Sequence, residues 1–305
     1  MSDIIRGVLP VAPTVFHDSE EIDLDGLRRV VDFVADAGSD GVCILANYSE
    51  QFSLADDERS SIVEATVNQA AERLPVVVTT SHYSSRVAAQ RSRDAQAMGA
   101  AMVMLMPPFF GATLSVGADA VRTFFLEVAE AVDLPIMVQD SPMSTTPLGV
   151  EQLAALAREI PHLRYAKVET ARAADKIRSL HDAAGSALPG LYDGEEGVTL
   201  IPDLDAGAQG SMTSCLVPDV MGAIVRDHLS GNREAAVARW EEVLPLVHFE
   251  NRQCGLLAAK VLLEEGGVIG SAAVRAPLAP LPDQTRKALV ELARRRDALI
   301  LRWAA

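Results

Sequence analysis

Short apolar runs alternate with amphipathic stretches along almost the whole of this chain, and that alternation limits its fold more than any other feature. The runs are GVLPVAPTVF (7–16), DGVCILA (40–46), PVVVTTS (75–81), AAMVMLM (100–106), PIMVQD (135–140), RYAKVE (164–169), GLYDG (190–194) and GSMTS (210–214). Each is short and β-prone, as strands buried on both faces are. Between them lie stretches such as DLDGLRRVVDFVADAG (23–38) and LADDERSSIVEATVNQAAERL (54–74). In the first, Leu27, Val30, Val31, Phe33 and Val34 recur at helical spacing. Gly38, Pro75, Gly99, Pro135 and Gly190 precede strands and mark the turns that end helices. Eight strands separated by helices predict parallel βαβ units, and the count predicts an α/β fold, a (β/α)8 TIM barrel. A doubly wound sheet is the competing architecture, but no GxGxxG follows the first strand.

About 90 residues follow the eighth run, with helical patterns near 219–245, 250–265 and 284–302. No linker or low-complexity segment sets them apart. The expected organisation is a barrel over 1–218 and a C-terminal helical extension over 219–305, packed on the barrel or used as an oligomer contact.

The chain carries 27 basic and 42 acidic residues in 305, a net charge of −15. Such a balance disfavours a nucleic-acid backbone or an anionic membrane surface as partner. The one basic run, ARRR at 293–296, sits beside Leu292, Leu299, Ile300 and Leu301, which suits the solvated side of a helix. Cys43, Cys215 and Cys254 are too sparse for a disulfide framework and suit a reducing cytoplasm. Neither a signal peptide nor a transmembrane helix is expected.

In a barrel, reactive side chains come from the C-terminal ends of strands and the loops beyond them. That rule sorts the four lysines. Lys176, Lys260 and Lys287 fall in helical patterns, where solvated or snorkelling lysines are expected. Lys167 alone sits near a strand end, with Tyr165 and Glu169 on its face. A charged amine inside a barrel must be paired or lose its proton. As a free amine it can attack a carbonyl and form a Schiff base. A structural ion pair with Glu169 explains the same spacing, and the residues alone leave both readings open.

The other strand ends are polar. ANYSEQF (46–52) precedes a helix start at which Ser53, Asp56 and Asp57 suggest a cap, and its amides and hydroxyls suit a small carboxylate. TTSHYSS (79–85) contains His82, read as a surface residue. MPPFFG (106–111) suggests a pocket wall. VQDSP (138–142) puts Gln139 or Asp140 at the barrel mouth. YDGEEG (192–197) gathers three carboxylates around a glycine. That cluster admits a metal or a helix N-terminus dressed with acids, and the histidines show neither HxH nor HExxH spacing. Neither metal nor cofactor is expected.

With GVLPVAPTVF, ANYSEQF, PPFFG, IMVQDSP, YAKVET and GAQGSMTS together, the chain resembles the dihydrodipicolinate synthase / N-acetylneuraminate lyase family, nearly end to end. The resemblance implies a Schiff-base barrel enzyme whose lysine is Lys167, and a homo-oligomer, tetramer or dimer. It also shows departures. Ala46-Asn47-Tyr48-Ser49-Glu50 stands where the family has Gly-Ser/Thr-Thr-Gly-Glu, and Gln139-Asp140-Ser141-Pro142 where it has Tyr-Asn-x-Pro. Phe109 and Phe110 replace paired tyrosines. The phenol proton relay is therefore missing.

Within the family, NYSEQF, VQDSP, DGEEGVTL, FENRQ and EGGVIG are similar to the L-2-keto-3-deoxyarabonate dehydratases. That similarity implies water loss from a 2-keto-3-deoxy sugar acid to give 2-oxoglutarate semialdehyde. Lys167 would form the imine and Glu169 would take the C3 proton. Gln139 would orient substrate or water, Asn47, Tyr48 and Ser49 would hold the C1 carboxylate, and Gly194 and Glu195 would contact sugar hydroxyls. An aldolase or deaminase acting on another 2-keto acid through the same imine, and a non-catalytic sugar-acid-binding barrel, are the competing functions.

Overall fold

The computed structural model describes residues 4–111 and 116–304. Its strands are β1 (Gly7–Val8), β2 (Val42–Ile44), β3 (Val76–Thr79), β4 (Met102–Leu105), β5 (Ile136–Asp140), β6 (Leu163–Val168), β7 (Gly190–Asp193) and β8 (Gly210–Ser211). The helices that alternate with them are α1 (Leu24–Asp36), α2 (Asp56–Ala70), α3 (Ser85–Ala97), α4 (Ala118–Ala129), α5 (Val150–Glu159), α6 (Ala173–Ala184), α7 (Leu200–Asp205) and α8 (Pro218–Leu229). The strand order is β1-β8-β7-β6-β5-β4-β3-β2. Val11, just past β1, bridges in parallel to Cys43 of β2 and to Ser214 beyond β8. The fold is a (β/α)8 barrel carrying further C-terminal helices, as the alternation predicts.

Two compact units divide the chain, one of Met1–Arg6, Val77–Glu195 and Thr199–Gly210, the other of Gly7–Val76, Glu196–Val198 and Ser211–Ala305. In the first, β3 to β7 pair in parallel in sequence order. Their side chains are buried almost without exception, each Val, Leu or Met contributing about 1.5–3 kcal/mol on leaving water. One irregularity sets the geometry of the site. Ile136 pairs with Leu163 but Met137 pairs with Tyr165, so Arg164 is an extra residue in β6. The shift brings Gln139 opposite Lys167. Without it Gln139 would face Ala166, and a one-residue slip turns every side chain to the other surface.

In the second unit the run 7–16 is less regular than the sequence suggests. Pro10 and Pro13 have no N–H to give a ladder, so regular strand stops at Val8. The stripe expected on α1 is the face it buries, and Asp23 caps that helix by accepting the Gly26 N–H at 2.7 Å. At α2 the expected cap is corrected. Ala55 is the N-cap, closed by Glu58 accepting its N–H at 2.8 Å, while the Ser53 hydroxyl donates to Glu50 O. After α8 come α9 (Arg233–Phe249), a π-turn over Glu250–Cys254, α10 (Leu257–Glu265) and α11 (Asp283–Arg294). No helix among the described residues is long and apolar enough to cross a membrane.

Candidate active site

Lys167 and Gln139 are register partners on adjacent strands and both are buried, at 4% and 1% exposure. Just past β6, Glu169 gathers them. Its Oε1 lies 2.8 Å from Lys167 Nζ and accepts the Gln139 amide at 2.7 Å. The Gln139 Oε1 is buried with no hydrogen-bond partner among the described residues, an acceptor left over for something else. The ion pair that the spacing allowed is therefore present, in a form that leaves Lys167 at the C-terminal end of its strand.

Gly194 completes this constellation. Its N–H donates to Val168 O at 3.1 Å, extending the β6–β7 ladder by one residue. A Cβ there would lie 2.6 Å from Glu169 Cγ and 2.8 Å from Lys167 Cγ. Glycine is required because the lysine stem and the glutamate run directly over this backbone.

Asp140 follows Gln139. Burial pushes its carboxyl above the ordinary range, and the Lys176 ammonium, 2.6 Å away, pulls the other way. Lys176 also donates to Leu148 O at 2.8 Å. This lysine is paired and largely covered, where a solvated or snorkelling one was expected. Tyr165, on the Lys167 face, is directed elsewhere: its phenol oxygen accepts the Ile5 N–H at 2.9 Å, and the Tyr192 phenol donates to Ile5 O.

The acids of 192–197 do not dress a helix start, because α7 begins only at Leu200. Asp193 is fully buried, Glu195 is half-buried with its N–H on Asp193 Oδ1 at 3.2 Å, and Glu196 has the positive φ of 58°. Among the described residues no group of three or more His, Cys, Asp or Glu side chains could hold a metal ion.

In the second unit, Asn47, Tyr48 and Ser49 form one 3₁₀ turn after β2. Ser49 anchors it: the hydroxyl donates to Ala12 O at 2.7 Å and accepts the Ala46 N–H at 3.2 Å. Asn47 Oδ1 accepts the Gln51 amide. Glu50 follows at φ 55° and forms a buried ion pair with Lys260. Lys260 donates also to Ala273 O and stands 4.4 Å from the centre of the Phe16 ring. The expectation of a solvated or snorkelling Lys260 is overturned, since its ammonium is buried too. Its partner is 210 positions away, so the helical pattern around it gave no sign of burial. Glu250, in the π-turn, is likewise buried; desolvation pushes its carboxyl up to about 8, against a hydrogen bond from Ser214.

The chain as a whole matches a known family. The Dihydrodipicolinate synthetase family matches residues 4–296. The chain belongs to this family. It is 50% identical over 299 residues to an L-2-keto-3-deoxyarabonate dehydratase of Azospirillum brasilense, covering 98% of this chain and 97% of that protein. It is 30% identical over 291 residues to a 4-hydroxy-tetrahydrodipicolinate synthase of Thermomicrobium roseum, covering 94% and 93%. A solved dihydrodipicolinate synthase of Rhodopseudomonas palustris superposes with a TM-score of 0.86 at 28% identity, over 95% of this chain and 97% of that one. The Aquifex aeolicus structure reaches 0.90 at 21% identity, over 96% and 98%, which speaks for the fold alone. The family resemblance read from the motifs holds over nearly the full chain.

Proposed function

We propose that this protein is a hydro-lyase that dehydrates a 2-keto-3-deoxy sugar acid, L-2-keto-3-deoxyarabonate, to 2-oxoglutarate semialdehyde through a Schiff base on Lys167. The observation that carries it is a buried lysine at a barrel strand end, 2.8 Å from a carboxylate, in a chain half identical to a dehydratase of that keto acid. Lys167 Nζ adds to C2 and the ketone oxygen leaves as water. The resulting iminium acidifies C3, and Glu169 takes a C3 proton. The electron pair left behind makes an enamine, whose collapse expels the C4 hydroxyl as water. A proton then leaves C5 and one returns to C3, giving the C5 enol that becomes the aldehyde. Hydrolysis of the imine consumes one water, so the net loss is one.

Gln139 holds Glu169 and offers its free Oε1 to substrate or water. Gly194 and Glu195 meet the sugar hydroxyls. Asn47, Tyr48 and Ser49 take the C1 carboxylate, with Ser49 acting as the anchor of that turn. The protein works as a cytoplasmic homo-oligomer, tetramer or dimer. Two observations support this: Cys43, Cys215 and Cys254 are buried, and the exposed rings of Tyr83 and Phe110 lie tilted against each other with centres 5.6 Å apart.

Borohydride added with the keto acid should fix a mass increment on Lys167, and the reaction without borohydride should yield the semialdehyde. Absence of an adduct overturns the Schiff base. Pyruvate plus an aldehyde in place of the semialdehyde makes the enzyme an aldolase.

A further inference from the structure

Asp193, the last residue of β7, and Asp203, in the first turn of α7, are both fully shielded from solvent. The two carboxyl groups are within hydrogen-bonding reach of one another. Asp203 Oδ2 accepts the Thr199 hydroxyl at 2.8 Å, and Asp193 Oδ1 accepts the Glu195 N–H at 3.2 Å. Asp203 Oδ1 finds no donor among the described residues. Two ionised carboxylates cannot share such a space, and an ionised Asp203 would leave that oxygen orphaned.

We propose that Asp193 and Asp203 share one proton, carried on Asp203 Oδ1, and that this carboxyl–carboxylate bond positions the start of the β7–α7 loop against Lys167 and Glu169. Asp193 is joined directly to Gly194, whose backbone lies under both side chains. It also accepts the Glu195 N–H. The pair acts through this backbone and touches no reacting atom. Its bearing on turnover rests on the Schiff-base function proposed above, but its bearing on the loop does not.

Burial is the main reason the proton stays, and it lifts the Asp203 carboxyl to about 8. The charges that bear on it after burial are Asp193 and Glu195, both negative. Helix α6 packs against α7, and its Asp175, Lys176, Arg178, His181 and Asp182 are partly or fully exposed, with His181 against Gly207. Raising the pH removes the shared proton, sets two buried charges against each other and releases the Glu195 amide.

The test is amide hydrogen exchange of the peptide carrying Gly194 and Glu195, measured against pH in wild type, Asp203→Asn and Asp193→Asn. Either amide supplies a donor and an acceptor across the pair and cannot titrate. Wild-type exchange relative to Asp203→Asn should rise about tenfold for each pH unit above the midpoint, since each unit multiplies the ionised ratio tenfold. The alkaline fall in the borohydride-trapping rate should move to higher pH in both variants. A wild-type to variant exchange ratio that does not change with pH overturns the proposal. If the exchange ratio behaves as expected and no adduct forms, the Schiff-base function fails and the proton-sharing pair stands. Should Asp203→Asn not fold, Asp193→Asn carries the same comparison.

Discussion

Lys167 Nζ stands 2.8 Å from Glu169 Oε1, and the same oxygen accepts the Gln139 amide at 2.7 Å. A carboxylate so held can neutralise the amine at rest and take a proton once the amine has become an imine. Glu169→Gln removes the proposed base and keeps the shape. The variant should still form the borohydride adduct, with turnover lower by about 10²–10⁴-fold, the usual contribution of a general base. Turnover within a few-fold of wild type would remove Glu169 from the proton transfer.

Gly194 has no room for a side chain. A Cβ at 2.8 Å from Lys167 Cγ and 2.6 Å from Glu169 Cγ must displace one of them. Gly194→Ala should therefore lower turnover by about 100-fold, the scale of a roughly 1 Å misplacement of a reacting group. Thermal stability should fall much less. Rapid-quench trapping with borohydride separates the two effects, and an unchanged trapping rate would show that the stems slide aside.

The buried pair of Glu50 and Lys260 predicts an asymmetry in stability. Burial depresses the basicity of Lys260 and the Glu50 carboxylate restores it. Removing one partner strands the other charge. Lys260→Met or Glu50→Gln alone should each destabilise by about 3–5 kcal/mol, whereas the double variant should recover a large part of the loss. Urea unfolding of the four proteins measures the coupling, and additive losses would count against it.

Periodicity carried the barrel, and the strand-end rule carried Lys167, because both depend on residues close together in sequence. Glu169 was legible for the same reason, being two residues from the lysine on one face. The burial of Lys260 was not, since the local pattern LAAKVLLEE matches an ordinary amphipathic helix and Glu50 lies far off in sequence. Asp203 gave one local hint, Thr199 four residues before it, but its second partner lies across a loop. The α2 cap was misread because the helix starts at Asp56 with Ala55 as its N-cap, two residues beyond Ser53.

Glu250 predicts how stability changes with pH. Burial lifts its carboxyl from 4.5 to about 8 in the native protein, so the native state keeps a proton that the unfolded chain releases above 4.5. The stability tied to that proton is fully present below 4.5 and is lost as pH rises through about 8. Asp203 acts in the same direction, so wild-type stability should decline across this window. Glu250→Gln removes one of the two contributions while keeping size and shape. Its Tm should gain on the wild type steadily from pH 4.5 to about 8 and then level off. A Tm difference that stays constant across that range would mean Glu250 is already ionised in the fold.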